Sequence, residues 1–256
     1  MRTKIGIIGG SGLDDPAILE GPRDLRMASA WGEPSADLKV GRIASVEVAI
    51  LARHGREHTI PPSQVNYRAN IRALADFGCT HIIATTAVGS LREEIRRGDL
   101  VMLDQFIDFT KRRVATFIES FEPHTPLHPA MADPFDEGLR VILAEVCERR
   151  GYPFHRKGTV VTIEGPRFST RAESRMFRSW GADVINMSVS TEAALAKEAG
   201  IPYAAIAMST DYDSWAEGEE AVTWEAVLAV FKANAEKVTS LLVEAIPRIA
   251  REGESG

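Results

Sequence analysis

Residues 203–213 read YAAIAMSTDYD, an apolar β-like run that stops in a cluster of hydroxyl and carboxyl groups. The same event recurs along the chain. Lys4–Ile8 stops in Gly9-Gly10-Ser11-Gly12, Val46–Ala52 in Arg53-His54-Gly55, His81–Ala84 in Thr85-Thr86-Ala87, and Asp183–Ile185 in Asn186-Met187-Ser188. In a mostly parallel sheet the carboxyl ends of strands share one edge, where α/β folds place their ligands, so these distant segments are expected to build one pocket. Their inventory is that of an anion held beside a polar, proton-accepting group.

Helical patterns lie between the runs. Ser63 is placed to cap a helix reaching about Phe77, stopped by Gly78. Asp133 followed by Pro134 reads as a cap with proline in the first turn, and Leu139, Ile142, Leu143 and Val146 then repeat at helical spacing until Gly151. Arg42–Ala52, Leu100–Ile107, Lys157–Ile163 and Ala182–Ile185 read as strands; Thr170–Trp180 and Thr191–Ala199 read as helices, the second stopped by Gly200. Trp224, Val227, Leu228, Phe231, Ala235, Val238, Leu242 and Ala245 recur at spacings of three and four, predicting a long amphipathic helix that ends before Pro247, with residues 252–256 as a frayed tail. This alternation predicts an α/β protein whose central twisted, mixed, largely parallel sheet is flanked by helices, as a single domain over residues 1–256. The stretch Lys111–Pro129, carrying Arg112, Arg113, His124 and His128, is long enough to be a lid or a subunit contact.

Composition limits the function classes. The chain has 256 residues, 45% hydrophobic and 26% charged, with a net charge of −6, which argues against nucleic-acid or membrane-surface binding through bulk charge. Any anion site is therefore local. Cys79 and Cys147 read as buried free thiols rather than a redox pair, and nothing around them suggests a metal cluster. No apolar run approaches the ~20 residues needed to span a bilayer. The first run stops at glycines too early for a signal peptide, so a reducing cytoplasm is expected.

The clusters supply specific chemistry. Gly9-Gly10-Ser11-Gly12 offers backbone N–H groups and a hydroxyl to phosphate oxygens, or is simply a tight turn; it is neither a Walker A motif nor a dinucleotide fingerprint. Arg53 offers a fork of donors with His54 as a second donor, unless the arginine only pairs with a carboxylate at the surface. Thr85, Thr86 and Ser188 would complete a neutral cradle, though each also fits a plain strand or a helix entry. Asp211 and Asp213 lie two residues apart beside Tyr212 and Trp215, where crowded like charges near aromatic surface would raise one carboxyl pKa and make it a proton donor, or else serve a turn. Glu164-Gly165-Pro166-Arg167-Phe168-Ser169 presents a ring that can stack on a flat heterocycle or fill the core, and Met187 can cover a sugar face or join the core.

Taken together, GGSGLDDP (9–16), RHGREHTI (53–60), TTA (85–87), GSLREEI (89–95), DQFID (104–108), VTIEGPR (161–167), RAES (171–174), WGADVINM (180–187) and TDYD (210–213) resemble the methylthioadenosine phosphorylases, in the trimeric branch of the purine nucleoside phosphorylases. The resemblance runs from about Lys4 to Ile246. It implies a phosphate site of Ser11, Arg53, His54, Thr86, Ala87 and Ser188, a purine site of Phe168, Ser169, Asp211 and Asp213, and Met187 against the ribose. It implies catalytic roles for Asp211, Arg53 and Ser188, and a 5′ side lined by Trp224, Val227 and Leu228 and closed by His128 from a neighbouring copy in a homotrimer or dimer of trimers. The implied reaction is phosphate-dependent cleavage of methylthioadenosine or a close 5′-modified adenosine, with inorganic phosphate as co-substrate and no metal or other cofactor. Aspartate at 211, where the 6-oxopurine enzymes of this branch carry asparagine, favours 6-aminopurines. Trp224 stands where relatives place a small aliphatic residue, and Val189-Ser190-Thr191-Glu192 replaces the usual proline-containing turn, so adenosine and 5′-deoxyadenosine stay open as substrates. The alternatives are a broader purine nucleoside phosphorylase that also takes inosine, and a nucleotide-binding regulatory protein without chemistry.

Overall fold

The computed structural model describes residues 2–9, 16–218 and 223–253, without the side chains of Pro16, Trp224 and Ala233. In chain order the elements are β1 (Lys4–Gly9), β2 (Glu20–Leu25), β3 (Leu38–Ile43), β4 (Val46–Ala52), α1 (Tyr67–Phe77), β5 (His81–Ser90), β6 (Leu100–Met102), β7 (Gln105–Phe109) and α2 (Glu137–Arg150). They continue with β8 (Phe154–His155), β9 (Thr159–Ile163), α3 (Arg171–Ser179), β10 (Val184–Asn186), α4 (Val189–Glu198), β11 (Tyr203–Tyr212) and α5 (Trp224–Gly253). The strands form one sheet in the order β2-β3-β4-β1-β5-β10-β9-β7, with β11 beside β5 and carrying β6 and then β8. Pairing is parallel for β4-β1-β5-β11, for β9-β10 and for β7-β9, while β10 runs antiparallel to β5. The class is the α/β mixed sheet that the alternation predicts.

Both faces of the sheet are covered, as the apolar strands require. Ile5 and Ile7 of β1 pack with Leu139 and Leu143 of α2 and with Leu242 and Ile246 of α5. Ile8, pointing the other way, packs with Ile71 and Leu74 of α1 and Leu195 of α4. Cys79 and Cys147 are both buried and free. Among the described residues no helix is long and apolar enough to cross a membrane.

Several boundaries differ from the sequence reading, each for a local reason. Arg42–Ala52 is not one strand, because Ala44 adopts a left-handed conformation (φ 53°) and turns β3 back onto β4. Ser63 does not cap α1: it lies in a 3₁₀ turn, Pro62–Gln64, and Val65 is extended, so Asn66 becomes the cap and accepts from the Ala69 N–H. Asp133 does not cap α2 either. The chain first passes β11, where the Asp136 N–H donates to the Tyr203 carbonyl and Phe135 is buried, and only then does Asp136 accept from the Leu139 N–H. Leu100–Ile107 breaks into β6 and β7 at Asp104, whose carboxylate accepts from the Gly158 N–H.

Helix α4 begins at Val189, two residues ahead of the expected Thr191. Helix α5 runs through Pro247 to Gly253, so neither that stop nor fraying at Glu252 holds. Proline leaves the Val243 carbonyl without its helical partner, but Val243 is 40% exposed and Ala245, Ile246 and Ile249 are buried, so water can reach the orphan while the flanking turns stay packed. Residues 254–256 lie outside the described residues.

Candidate active site

A cavity of about 570 Å³ opens over the C-terminal half of β5. The sequence reading puts strand ends here, and β1, β4 and β10 do end near the expected residues, but β5 runs on through Thr85, Thr86 and Ala87 and β11 through Tyr212. Residues 86–89 of β5 therefore line the cavity as strand, not as a loop. Along the same strand, Thr86 pairs with Ala207 and Gly89 with Asp211, so the register itself separates the end expected to hold an anion from the acid end by three residues, about 10 Å at ~3.3 Å per residue.

At the anion end Arg53 lines the cavity yet is only 2% exposed. Its Nε and Nη2 donate to the two carboxylate oxygens of Glu192 at 2.5 and 2.9 Å, and its Nη1 donates to the Thr85 carbonyl at 2.9 Å. Arg53 is thus paired with a carboxylate, but in the interior rather than at the surface. Burial opposes its charge, and Glu192 more than compensates, holding the guanidinium above its ordinary pKa.

Next to it, His54 Nδ1 lies 2.9 Å from the Ile60 carbonyl, which can only accept, so Nδ1 carries the proton. Burial and the adjacent Arg53 charge lower the His54 pKa to about 4. At neutral pH the ring is uncharged and its Nε2 is an acceptor, which corrects the expectation of a second donor.

Thr86 is buried, its hydroxyl donating to the Ala87 carbonyl and accepting from Asn186 Nδ2. Asn186 Oδ1 takes the Thr162 hydroxyl and, at 3.4 Å, the Ser188 N–H. Ser188 sits at the N-cap position of α4, but its side chain caps nothing and is left to the cavity it lines. Thr86, Ala87 and Ser188 thus meet Arg53 and His54; Thr85 stays behind them, giving Arg53 its carbonyl. Ser11 lies outside the described residues.

The acid end depends on an irregularity. The β11 register slips between Ser209 and Asp211, leaving Thr210 as an extra residue opposite β5. A regular strand would send neighbours to opposite faces, whereas this bulge lets Thr210, Asp211 and, two residues on, Asp213 all line the cavity. The Thr210 hydroxyl donates to Asp211 Oδ1 at 2.7 Å, and the Ser169 hydroxyl donates to Asp213 Oδ2. Burial, with the Asp213 charge adding to it, raises the Asp211 pKa to about 6; burial also raises that of Asp213, against the Ser169 hydrogen bond. The like-charge effect expected from sequence is present but second to burial. A Cβ at Gly89 would lie 3.1 Å from Asp211 Oδ2 and from Ile185 Cγ2, so glycine is what lets the acid sit against β5.

The wall facing the acids is Phe168, 40% exposed at the mouth, together with Pro166 and Met187. Ser169 does not line the cavity; it acts through Asp213. Gly165 (φ 66°) packs so closely that a Cβ there would come within 2.5 Å of Met187 Sδ. This wall is tied to the long loop: Glu164 Oε2 accepts the Lys111 and Arg112 N–H groups, and Arg113 donates to the Glu164 carbonyl and to the Tyr67 hydroxyl. From α5, Val227, Leu228 and Phe231 supply an apolar side. The Trp224 side chain lies outside the description, and His128 is exposed on the loop against Phe121, away from this cavity.

Glu192, Thr210 and Gly89 were not among the sequence-derived candidates. A Glu in the first turn of a helix that starts at a candidate anion residue was the available signal for Glu192; nothing in the local pattern announces a bulge. Among the described residues no group of three or more His, Cys, Asp or Glu side chains is placed to hold a metal ion.

Residues 4–247 match the family described as the Phosphorylase superfamily. The S-methyl-5′-thioadenosine phosphorylase of Danio rerio is 56% identical over 253 residues, covering 98% of this chain and 90% of that protein. That of Thermofilum pendens is 48% identical over 251 residues, covering 98% and 94%. Among solved structures, methylthioadenosine phosphorylase from Schistosoma mansoni in complex with adenine superposes with a TM-score of 0.92 at 42% identity, covering 98% of this chain and 93% of that one. A variant adenosine/methylthioadenosine phosphorylase from the same organism, in complex with methylthioadenosine, gives 0.90 at 41%, covering 98% and 92%. By sequence and by fold, the chain belongs to the methylthioadenosine phosphorylase family of the Phosphorylase superfamily.

Proposed function

We propose that this protein catalyses the phosphate-dependent cleavage of the N-glycosidic bond of S-methyl-5′-thioadenosine or a close 5′-modified adenosine, giving adenine and the corresponding ribose 1-phosphate. The observation that carries the reading is one cavity with Arg53, Thr86 and Ser188 at one end of a β5 segment and Asp211 with Asp213 at the other. That spacing suits an anion and a leaving base on opposite sides of a ribose.

In this reading phosphate is held by Arg53, by the Thr86 and Ser188 hydroxyls, by the Ala87 backbone and by Ser11, while the uncharged His54 ring accepts, at Nε2, a hydrogen bond from the hydroxyl of monohydrogen phosphate. A phosphate oxygen bonds to the anomeric carbon as the bond to the base breaks, and the phosphate charge stabilises the oxocarbenium character of the sugar. The electron pair left on the base requires a proton. Asp211, with its pKa raised to about 6, supplies one to N7, a contribution of roughly 10²–10⁴-fold, and Asp213, fixed by Ser169, orients the 6-amino side. Phe168 stacks on the purine and Met187 covers the ribose. Val227 and Leu228, and Trp224 one turn earlier on α5, take the 5′ substituent.

We read the active form as a homotrimer, or a dimer of trimers, in which His128 of one copy closes the 5′ side of the next. The exposure of Val114, Phe121 and Leu127, at 54%, 51% and 62%, supports a contact through this loop. The buried free thiols Cys79 and Cys147 support a reducing, cytoplasmic compartment.

The test incubates the protein with and without phosphate on methylthioadenosine, 5′-deoxyadenosine, adenosine and inosine and compares kcat/KM. Base release that requires phosphate and favours the 6-amino substrates supports the reading. Turnover of inosine comparable to that of methylthioadenosine overturns the adenine specificity. A Trp224→Val change that leaves the methylthio preference unaltered removes that residue from the 5′ side.

A further inference from the structure

The proposed reaction asks for a phosphate that is bound yet keeps its negative charge, since that charge is what steadies the sugar cation. Among the described residues the cation that lines the cavity beside Thr86 and Ser188 is Arg53, and it is not a bare charge: it is bonded through two nitrogens to a carboxylate that is itself 0% exposed. Three of its five N–H groups go to Glu192 and to the Thr85 carbonyl, and among the described residues the remaining one on Nη1 and one on Nη2, the outer fork of the guanidinium, are the pair that can face a ligand. Glu192 is held in turn by the Tyr203 hydroxyl, which donates to Oε2 at 2.8 Å from β11, and Tyr67 of α1 lies in the same electrostatic neighbourhood. Helix α4 brings Ser188, at its N-cap position, and Glu192 to the site one turn apart.

We propose that Glu192 is a positioning residue for the phosphate step: it fixes the outer fork of Arg53 and cancels its charge, so that phosphate is oriented by hydrogen bonds without being neutralised. This inference rests on the phosphate reading above. Without the carboxylate, the buried cation faces phosphate alone, the ground state and the phosphorylated product are held more tightly, and the attacking oxygens lose nucleophilic charge. Tighter ground-state binding with slower turnover is the kinetic signature of that loss.

The test measures steady-state kinetics with methylthioadenosine and phosphate, and sulfate binding by calorimetry, for the wild-type protein, Glu192→Gln and Glu192→Asp. In Glu192→Gln, which keeps the length but not the charge, KM for phosphate and Kd for sulfate are expected to fall about tenfold, one charged hydrogen bond in size, while kcat falls by at least as much. In Glu192→Asp, which keeps the charge but not the reach, kcat is expected to fall with no gain in anion affinity. A Glu192→Gln protein with weaker or unchanged anion binding overturns the charge-cancelling role. A Glu192→Asp protein with unaltered kcat overturns the positioning role, and it decides the matter alone where Glu192→Gln does not fold. Adenine release by the wild type without phosphate overturns the underlying phosphate reading instead.

Discussion

Replacing Asp211 by asparagine is expected to make the protein more stable and far less active, with a pH dependence that identifies the cause. Burial raises this carboxyl from 3.8 to about 6. The folded state therefore holds the proton more tightly than the unfolded chain does, and between those two values stability falls as pH rises; above about 6 the full cost of a buried carboxylate is present. A shift of about two units corresponds to roughly 3 kcal/mol at neutral pH, an upper figure because asparagine also has to be desolvated. Asn keeps an oxygen for the Thr210 hydroxyl and fills nearly the same volume, so no cavity is created. The expected gain is about 1–3 kcal/mol at pH 7.5, or roughly 2–10 °C in Tm for a domain of this size. It should shrink steadily below pH 6 and vanish near pH 4.

Urea denaturation of both proteins from pH 4.5 to 7.5, at fixed protein concentration, measures the difference directly. In the same samples kcat on methylthioadenosine should drop by about 10²–10⁴-fold while KM for phosphate stays within about twofold. A stability gain that is the same at every pH, or a loss at pH 7.5, would refute the account of Asp211 as a buried acid kept at the threshold of ionisation.

Gly89→Ala places a methyl group 3.1 Å from Asp211 Oδ2 and Ile185 Cγ2, so kcat/KM for the nucleoside should fall roughly 10²-fold with phosphate binding spared, as steady-state kinetics will read. Arg113, whose side chain is 3% exposed, joins the long loop to Glu164 and Tyr67; Arg113→Ala should cost about 2–4 kcal/mol in denaturant unfolding and raise KM for the nucleoside through the wall that Glu164 begins. Asp136→Ala removes the cap of α2 and should cost about 1 kcal/mol, whereas Asp133→Ala should be within about 0.5 kcal/mol of wild type; thermal melts separate the two.

Apolar alternation and helical spacing in the sequence are enough to establish the α/β class, because a strand buried on both faces and a helix buried on one leave different periods in the chain. They also single out the polar residues that interrupt those periods, and Arg53, His54, Thr86, Ala87, Ser188, Asp211 and Asp213 all reach one cavity. Boundaries are less legible. Asn66 outcompetes Ser63, and Asp136 outcompetes Asp133, because the chain must first pass a proline-rich turn or an extended pairing with β11 that no cap motif records.

What each polar group does was decided only by the tertiary structure. Arg53 meets Glu192 across 139 residues of chain, so the carboxylate pair that the sequence allowed at the surface forms instead in the interior, on a guanidinium that still lines the cavity. His54 becomes an acceptor because the Ile60 carbonyl takes its proton-bearing nitrogen, Ser169 turns to Asp213 instead of the cavity, and the slip at Thr210 sets Asp211 against Gly89. Residue types carry a repertoire of protonation and hydrogen bonding. Which part of it is used depends on burial and on partners brought together from distant segments, and these exist only once the chain has folded.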